Sequence, residues 1–232
     1  MTKKVMNYIP DRMMVKLVYD DVIMYQVSGG GLMNCVAAFK NSLQNPRIQP
    51  PGGHRPLMYG QWIQTYSKYR VYGIKYTIRV KNRAGIPEAW YLIARGHKKD
   101  NGGAWAPDLN LQTLLERREA KWKMGGSWAK LSGYMSVAKV AGVPGSQIKN
   151  EDDWCAQTNT DPVEQCGLFF YMSQNNGNTQ PFDINVRLTY YAEMFNRVSV
   201  GASGDVSMPT VWPNPNAEVA EDGPPPIVEV PQ

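Results

Sequence analysis

The chain has 232 residues and a mass of 26.1 kDa, enough for one large all-β core or two modest domains, and its 17 prolines and 21 glycines break it too often for long helices. A hydrophobic content of 43% and an aromatic content of 11% are ample for a packed interior. The formal charge of +5 is uneven: positions 68–130 carry fourteen Lys or Arg against five acids, so the rest of the chain is net acidic.

Arg12–Val27 sets Val15, Leu17 and Tyr19 against Arg12, Met14 and Lys16, the two-residue period of a half-buried strand, either long or broken. Gly29-Gly30-Gly31 ends it, Met33–Phe39 reads as extended, and a loop runs from Asn45-Pro46 to Pro50-Pro51-Gly52-Gly53. Trp62, Tyr66 and Tyr69 recur at i, i+4 and i+7, which predicts one or two helical turns. A basic, tyrosine-rich joint then leads into a strand with Ile74, Tyr76, Ile78 and Val80 on one face and Lys75, Thr77, Arg79 and Lys81 on the other. Asn82–Pro87 is expected to be a hairpin turn into Glu88–His97, which is apolar on both faces from Ala89 to Ala94 and so should be covered on both sides.

After Pro107, a cap at Asp108 or Asn110 precedes Leu111, Leu114 and Leu115, the spacing of a short helix, and the cationic stretch ERREAKWK follows. Lys130–Val140 reads as an imperfect strand weakened by Gly133. Gly145–Val163 reads as a long loop carrying Glu151, Asp152 and Asp153. Gly167–Met172 is a compact apolar strand ended by the turn SQNNGN. In Asp183–Phe195, Ile184, Val186, Leu188, Tyr190 and Met194 oppose Asn185, Arg187, Thr189 and Glu193, which makes it the last strand. Beyond Val200 glycine, proline and acids dominate without an apolar period, the composition of a tail that is disordered or ordered only on contact. Six or more strands separated by turn clusters imply an antiparallel sandwich or barrel with minor helices in its loops.

The cation cluster reads either as a solvated face or as a surface for polyanions. Tyr66, Tyr69, Tyr72 and Tyr76 lie among Lys68, Arg70 and Lys75, which favours the second reading, because aromatic rings stack on unpaired bases while cations neutralise phosphates. Cys35, Cys155 and Cys166 form an odd set without a Cys-x-x-Cys pair, so neither a disulfide framework nor a zinc site is indicated and buried, reduced thiols are expected. Lys16 and Asp20 interrupt the first hydrophobic segment, which argues against an ordinary signal peptide or membrane span. His54 and His97 are the only histidines and form no metal-ligating pair; His54 reads as a loop residue and His97 as a surface residue at a strand end. No nucleophile elbow, phosphate-binding loop or cysteine–histidine signature is present, so no catalytic residue, cofactor or resident metal is expected.

Three segments resemble the single jelly-roll capsid proteins of circovirus-like viruses, whose circular single-stranded DNA genomes encode a replication initiator. PDRMMVKLVY at Pro10–Tyr19 is similar to that family's first strand. NSLQNP at Asn41–Pro46 with HRPL at His54–Leu57 is similar to its first long loop, and QWxxxYSKYRVYGIK at Gln61–Lys75 to the helical turn and strand that follow. GLFFYM and FDINVRLTYYAEMF fall where the family has its closing strands. The resemblance spans most of Pro10–Phe195. It implies an all-β, antiparallel single jelly-roll sandwich of two four-stranded sheets with short helices in its loops. The expected division is an amino-terminal arm at 1–10, a jelly-roll capsid domain at 11–200 and, from its composition, a Pro-rich acidic tail at 201–232.

A protein of this kind would be made in the host cytoplasm or nucleus and would assemble roughly sixty copies into an icosahedral T=1 virion shell, enclosing single-stranded DNA through sequence-independent charge contacts. In the family the sheet holding the first and last strands faces inward, which implies a genome-binding set of Arg12, Lys16 and Arg187 joined by Lys3 and Lys4, with Lys75, Arg79 and Lys81 as a competing patch. Only Lys3 and Lys4 stand where the family has a long arginine-rich arm, so either that arm is missing from this sequence or the folded surface packages the genome instead; the acidic, proline-rich ending differs from that of many relatives. Asp20-Asp21 or Glu151-Asp152-Asp153 could hold a cation between subunits, against the simpler reading of solvated loops. The rival function is a monomeric β module that binds single-stranded nucleic acid or carbohydrate.

Overall fold

In the computed structural model, which describes residues 10–28, 30, 33–84, 89–100, 103–105, 110–174 and 179–198, the alternating runs become strands paired in antiparallel register. In chain order the elements are β1 (Arg12–Val27), β2 (Asn34–Lys40), β3 (Arg47–Gln49), α1 (Tyr59–Trp62), β4 (Tyr66–Asn82), β5 (Trp90–Lys98), α2 (Leu111–Glu116), β6 (Lys121–Gly125), β7 (Trp128–Ser136), α3 (Val137–Ala141), α4 (Gly145–Asn150), β8 (Cys155–Gln157), β9 (Cys166–Gln174) and β10 (Gln180–Arg197). One sheet runs β1-β10-β4-β7, with β8 added beside β4, and the other runs β3-β2-β9-β5-β6. With the short β3 and β8 set aside, the remaining strands pair first with last: β1 with β10, β2 with β9, β4 with β7, and β5 with β6. That nesting is one long hairpin rolled into two four-stranded layers, the jelly roll, and each layer gains one short strand.

The two layers bury their facing side chains against each other. Leu17, Tyr19, Ile74, Ile78, Leu188 and Tyr190 of the first sheet meet Val36, Phe39, Leu92, Leu168 and Phe170 of the second. Phe170 sits edge-on to Phe39 and Tyr76, with centroids 6.2 and 5.5 Å away, geometry that adds to its burial. Every residue of β9 is buried because both of its faces are covered. Leu168, Phe170 and Met172 enter the main core, while Phe169 and Tyr171 join a second cluster with Met33, Ala38, Ile93 and Leu114. Leu114 reaches that cluster from α2, which starts where the Asn110 side chain accepts hydrogen bonds from the Gln112 and Thr113 amides, a cap of the expected kind.

Several expectations change in three dimensions. Asn82–Pro87 does not close a hairpin, since β4 and β5 lie in different sheets; the doubly apolar β5 needs a place covered on both sides, and β4 is already flanked by β10 and β7. The helical turn is α1, ending at Trp62, whereas Tyr66 and Tyr69 are strand residues. A β-bulge follows within β4: Gly73 opposes Tyr191 but Val71 opposes Ala192, so Tyr72 is an extra residue that resets which side chains face inward. Lys130–Val140 divides at Ser136, whose hydroxyl accepts from the Lys139 amide and caps α3. The supposed loop Gly145–Val163 contains α4 and β8, and β8 pairs with Lys68–Arg70.

His97 is partly buried rather than a surface residue. Its Nε2 lies 2.8 Å from the Tyr171 hydroxyl and its ring packs edge-on to Phe169 at 4.9 Å. Burial, helped by the nearby guanidinium groups of Arg95 and Arg117, lowers its pKa from 6.5 to about 4. All three cysteines are free thiols; Cys155 and Cys166 are buried and Cys35 is partly so, and burial pushes Cys35 and Cys166 up to about 12.

Two measurements test this packing. Below pH 6.5 the unfolded chain takes a proton on His97 that the folded state refuses until about pH 4, so acidification through that window costs stability; chemical denaturation at stepped pH should show this slope, and His97→Gln should flatten it. Phe170→Ala should lower unfolding free energy by about 3–5 kcal/mol, read by equilibrium denaturation.

Candidate nucleic-acid interface

Alternate side chains of the first sheet point away from the core, and the antiparallel register aligns them in rows. Val18, Thr189, Lys75 and Tyr134 form one row, and Asp20, Arg187, Thr77 and Ser132 form the next. Val22, Asn185, Arg79 and Lys130 follow, then Met24, Asp183, Lys81 and Trp128. Arg12 and Lys16 share the same face by parity along β1. Arg12, Lys16 and Arg187, the set expected to face a genome, and the rival patch Lys75, Arg79 and Lys81 therefore occupy one surface. Sequence reasoning separated them because register is a long-range property.

The acids on this face are already engaged. Arg187 donates to both carboxylate oxygens of Asp20, at 2.7 and 2.9 Å, a bidentate pair that holds the Asp20 carboxyl below its usual range. Glu193 accepts from the Tyr72 hydroxyl at 2.7 Å and lies 3.6 Å from Arg12 and 3.7 Å from buried Arg70. Asp183 lies 3.8 Å from Arg83. Among the described residues no carboxylate pairs with Lys16, Lys68, Lys75, Arg79, Lys81 or Lys130. An open groove of about 730 Å³ crosses all four main strands, lined by Asp20, Val22, Thr77, Arg79, Lys130, Asn185 and Arg187. Asp21 also lines it, and because Asp20 and Asp21 are paired with Arg187 and Arg47, Arg79 and Lys130 leave it a positive surplus.

The aromatic partners are not the expected ones. Tyr66, Tyr69 and Tyr76 are buried, and the Tyr66 and Tyr69 hydroxyls donate to the carbonyls of Pro10 and Thr160 at 2.7 and 2.8 Å. Tyr72 is held by Glu193. On this face, among the described residues, the rings most open to solvent are Trp128, 67% exposed, and Tyr134, 53% exposed. Tyr134 sits edge-on to Tyr191 at 5.8 Å, and the Lys16 ammonium lies 5.8 Å from the Tyr191 centroid, within cation–π range. Tyr134 can cross β4 because Gly73 has no side chain: a Cβ there would fall 2.0 Å from the tyrosine hydroxyl. The signal for Trp128, Lys130 and Tyr134 was present as their shared parity, but Ser132 and Gly133 obscured it.

Lys3 and Lys4 lie outside the described residues. Asp20 and Asp21 diverge, Asp21 accepting from Arg47 at 2.7 Å and from the Tyr19 hydroxyl at 3.0 Å, so they cannot converge on one cation. Among the described residues no three His, Cys, Asp or Glu side chains gather as a metal site, and no helix is long and apolar enough to cross a membrane.

No family model matches the chain, and no curated protein matches it either. Solved structures of viral capsid proteins do align with it. The 60-mer BFDV capsid protein is 12% identical over 81% of this chain and 96% of its own, with a TM-score of 0.43. Mud crab tombus-like virus is 10% identical over 85% and 95%, with a TM-score of 0.46. The empty head of turnip yellow mosaic virus is 9% identical over 88% and 92%, with a TM-score of 0.41. The jelly roll itself rests on the strand order and pairing of this chain.

Releasing Arg187 from Asp20 should add one cation to the face. For Asp20→Asn, the plot of log binding constant for single-stranded DNA against log salt should steepen by about 0.7; an unchanged slope would place Arg187 outside the contact surface.

Proposed function

We propose that this chain is a structural, non-catalytic capsid protein of the circovirus-like kind. It tiles with roughly sixty copies of itself into a T=1 shell and encloses single-stranded circular DNA through the outer face of the sheet β1-β10-β4-β7. The observation that carries the reading is the collection, on one face of a jelly roll, of six cations with no carboxylate partner among the described residues. The sequence resemblance at Pro10–Tyr19, Asn41–Pro46 and Gln61–Lys75 supports the same reading. Lys16, Lys75, Arg79, Lys81 and Lys130 are its leading phosphate contacts. Arg12 and Arg187 contribute less while Glu193 and Asp20 hold them, and Lys3 and Lys4 extend the set.

Assembly is favoured by apolar side chains left open on the loops and on an edge strand: Leu57, Met58 and Val163, with Trp122 and Met124 of β6. Patches of this sort mark contact surfaces. In a closed shell several modest contacts hold each copy at once, so losing one contact does not release it. The chain would then reside in the virion after synthesis in the host cytoplasm or nucleus.

Sedimentation and electron microscopy of the purified full chain should find uniform hollow particles; a stable species of about 26 kDa at every concentration and salt would instead fit a monomeric nucleic-acid or carbohydrate module. Replacing Lys75, Arg79 and Lys130 together by Gln should leave assembly intact, reduce the nucleic acid recovered in particles, and lower the salt slope by about 2.

A further inference from the structure

We infer that Trp128 forms a base-stacking subsite on the cationic face. One unpaired nucleotide lays its base on the indole, and its flanking phosphates fall on Arg79, Lys81 and Lys130. This deepens the proposed function and rests on it. Trp128 opens β7 at the edge of its sheet, and its indole is two-thirds exposed, which leaves a flat aromatic surface open to a stacking partner. Beside it lies a hollow of about 280 Å³ walled by Arg79, Lys81, Ser127 and Asn185, smaller than a drug-sized pocket and suited to one planar ring.

The register explains why charge and ring converge. Lys81 stands directly opposite Trp128, Arg79 opposite Lys130, and Lys130 follows Trp128 on the same face about 7 Å along β7. Asn185 adjoins Arg79 in the same row and offers an amide, which can donate to or accept from a base edge. The occupant must combine a flat apolar surface with negative charge. A second copy docking this face against its twin would set Arg79, Lys81 and Lys130 against the same cations, whereas a nucleotide satisfies both the ring and the charges. Stacking of this type tolerates any base, because every base has a π-face, and so it fits sequence-independent packaging.

The test compares a short oligothymidylate with an abasic oligodeoxynucleotide of equal length, which keeps the phosphates but removes the rings. The full chain should bind the thymidylate about 5- to 150-fold more tightly and quench its tryptophan fluorescence. Trp128→Ala should erase most of that preference while keeping the salt slope, and Trp128→Phe should retain part of it. Equal binding of both probes by the wild-type chain, with steep salt dependence, would overturn the subsite yet leave the electrostatic reading standing. Binding of neither probe would overturn both. An unaltered thymidylate preference in Trp128→Ala would move the stacking ring elsewhere and end the assignment. So would loss of particle assembly by Trp128→Ala without nucleic acid, since a second copy would then be what covers the indole.

Discussion

The pairing of β10 on both edges is the constraint on which the rest depends. β1 runs against it from Arg12 to Val27, and β4 against it from Tyr66 to Asn82, so its side chains can face only one way. Phe182, Ile184, Val186, Leu188, Tyr190, Ala192 and Met194 fill the core, while Asp183, Asn185, Arg187, Thr189 and Tyr191 face out. A slip of one residue would exchange these sets and drive Arg187 into the interior, at the cost of burying an unpaired charge. Core and cationic surface are therefore two consequences of one register.

The bulge at Tyr72 keeps that relation along the whole of β4. Before it, Tyr69 and Val71 face inward and Lys68 and Arg70 outward; after it, the even positions Ile74, Tyr76 and Ile78 face inward and the odd positions Lys75, Arg79 and Lys81 outward. Without the extra residue one end of β4 would bury cations. The two ends of the face still differ in character. Near the bulge, Arg70, Arg12, Tyr72 and Glu193 form a partly buried cluster, in which the carboxylate compensates the desolvation of its neighbours. Toward Lys81 and Trp128 the acid of the row is Asp183, which lies 3.8 Å from Arg83, and Arg79, Lys81 and Lys130 have no carboxylate partner among the described residues.

The two sheets solve their outward faces differently. β9 and β5 carry apolar residues on both sides, so Phe169, Tyr171 and Ile93 require a second cover, which Leu114 of α2 and its neighbours supply. His97, packed against Phe169 and Tyr171, is partly buried there, which lowers its pKa to about 4. The first sheet alternates along β1, β10 and the second half of β4, and its outward face mixes charged side chains with the exposed Met14, Val22, Met24, Trp128 and Tyr134.

Much of the architecture was legible in the chain itself. Two-residue alternation marked β1, the second half of β4 and β10, the doubly apolar runs marked β5 and β9, and Asn110 marked the start of α2, because these signals depend on neighbours within a few positions. The same locality explains the failures: Trp62, Tyr66 and Tyr69 had helical spacing although Tyr66 and Tyr69 lie in β4, and the connection after Asn82 resembled a hairpin although its strands belong to opposite layers. Which cations share a surface, and which acids neutralise them, depends on residues far apart in the chain, such as Asp20 with Arg187 and Lys81 with Trp128. Strand order and register alone bring those residues within ångströms, and no local pattern encodes that distance.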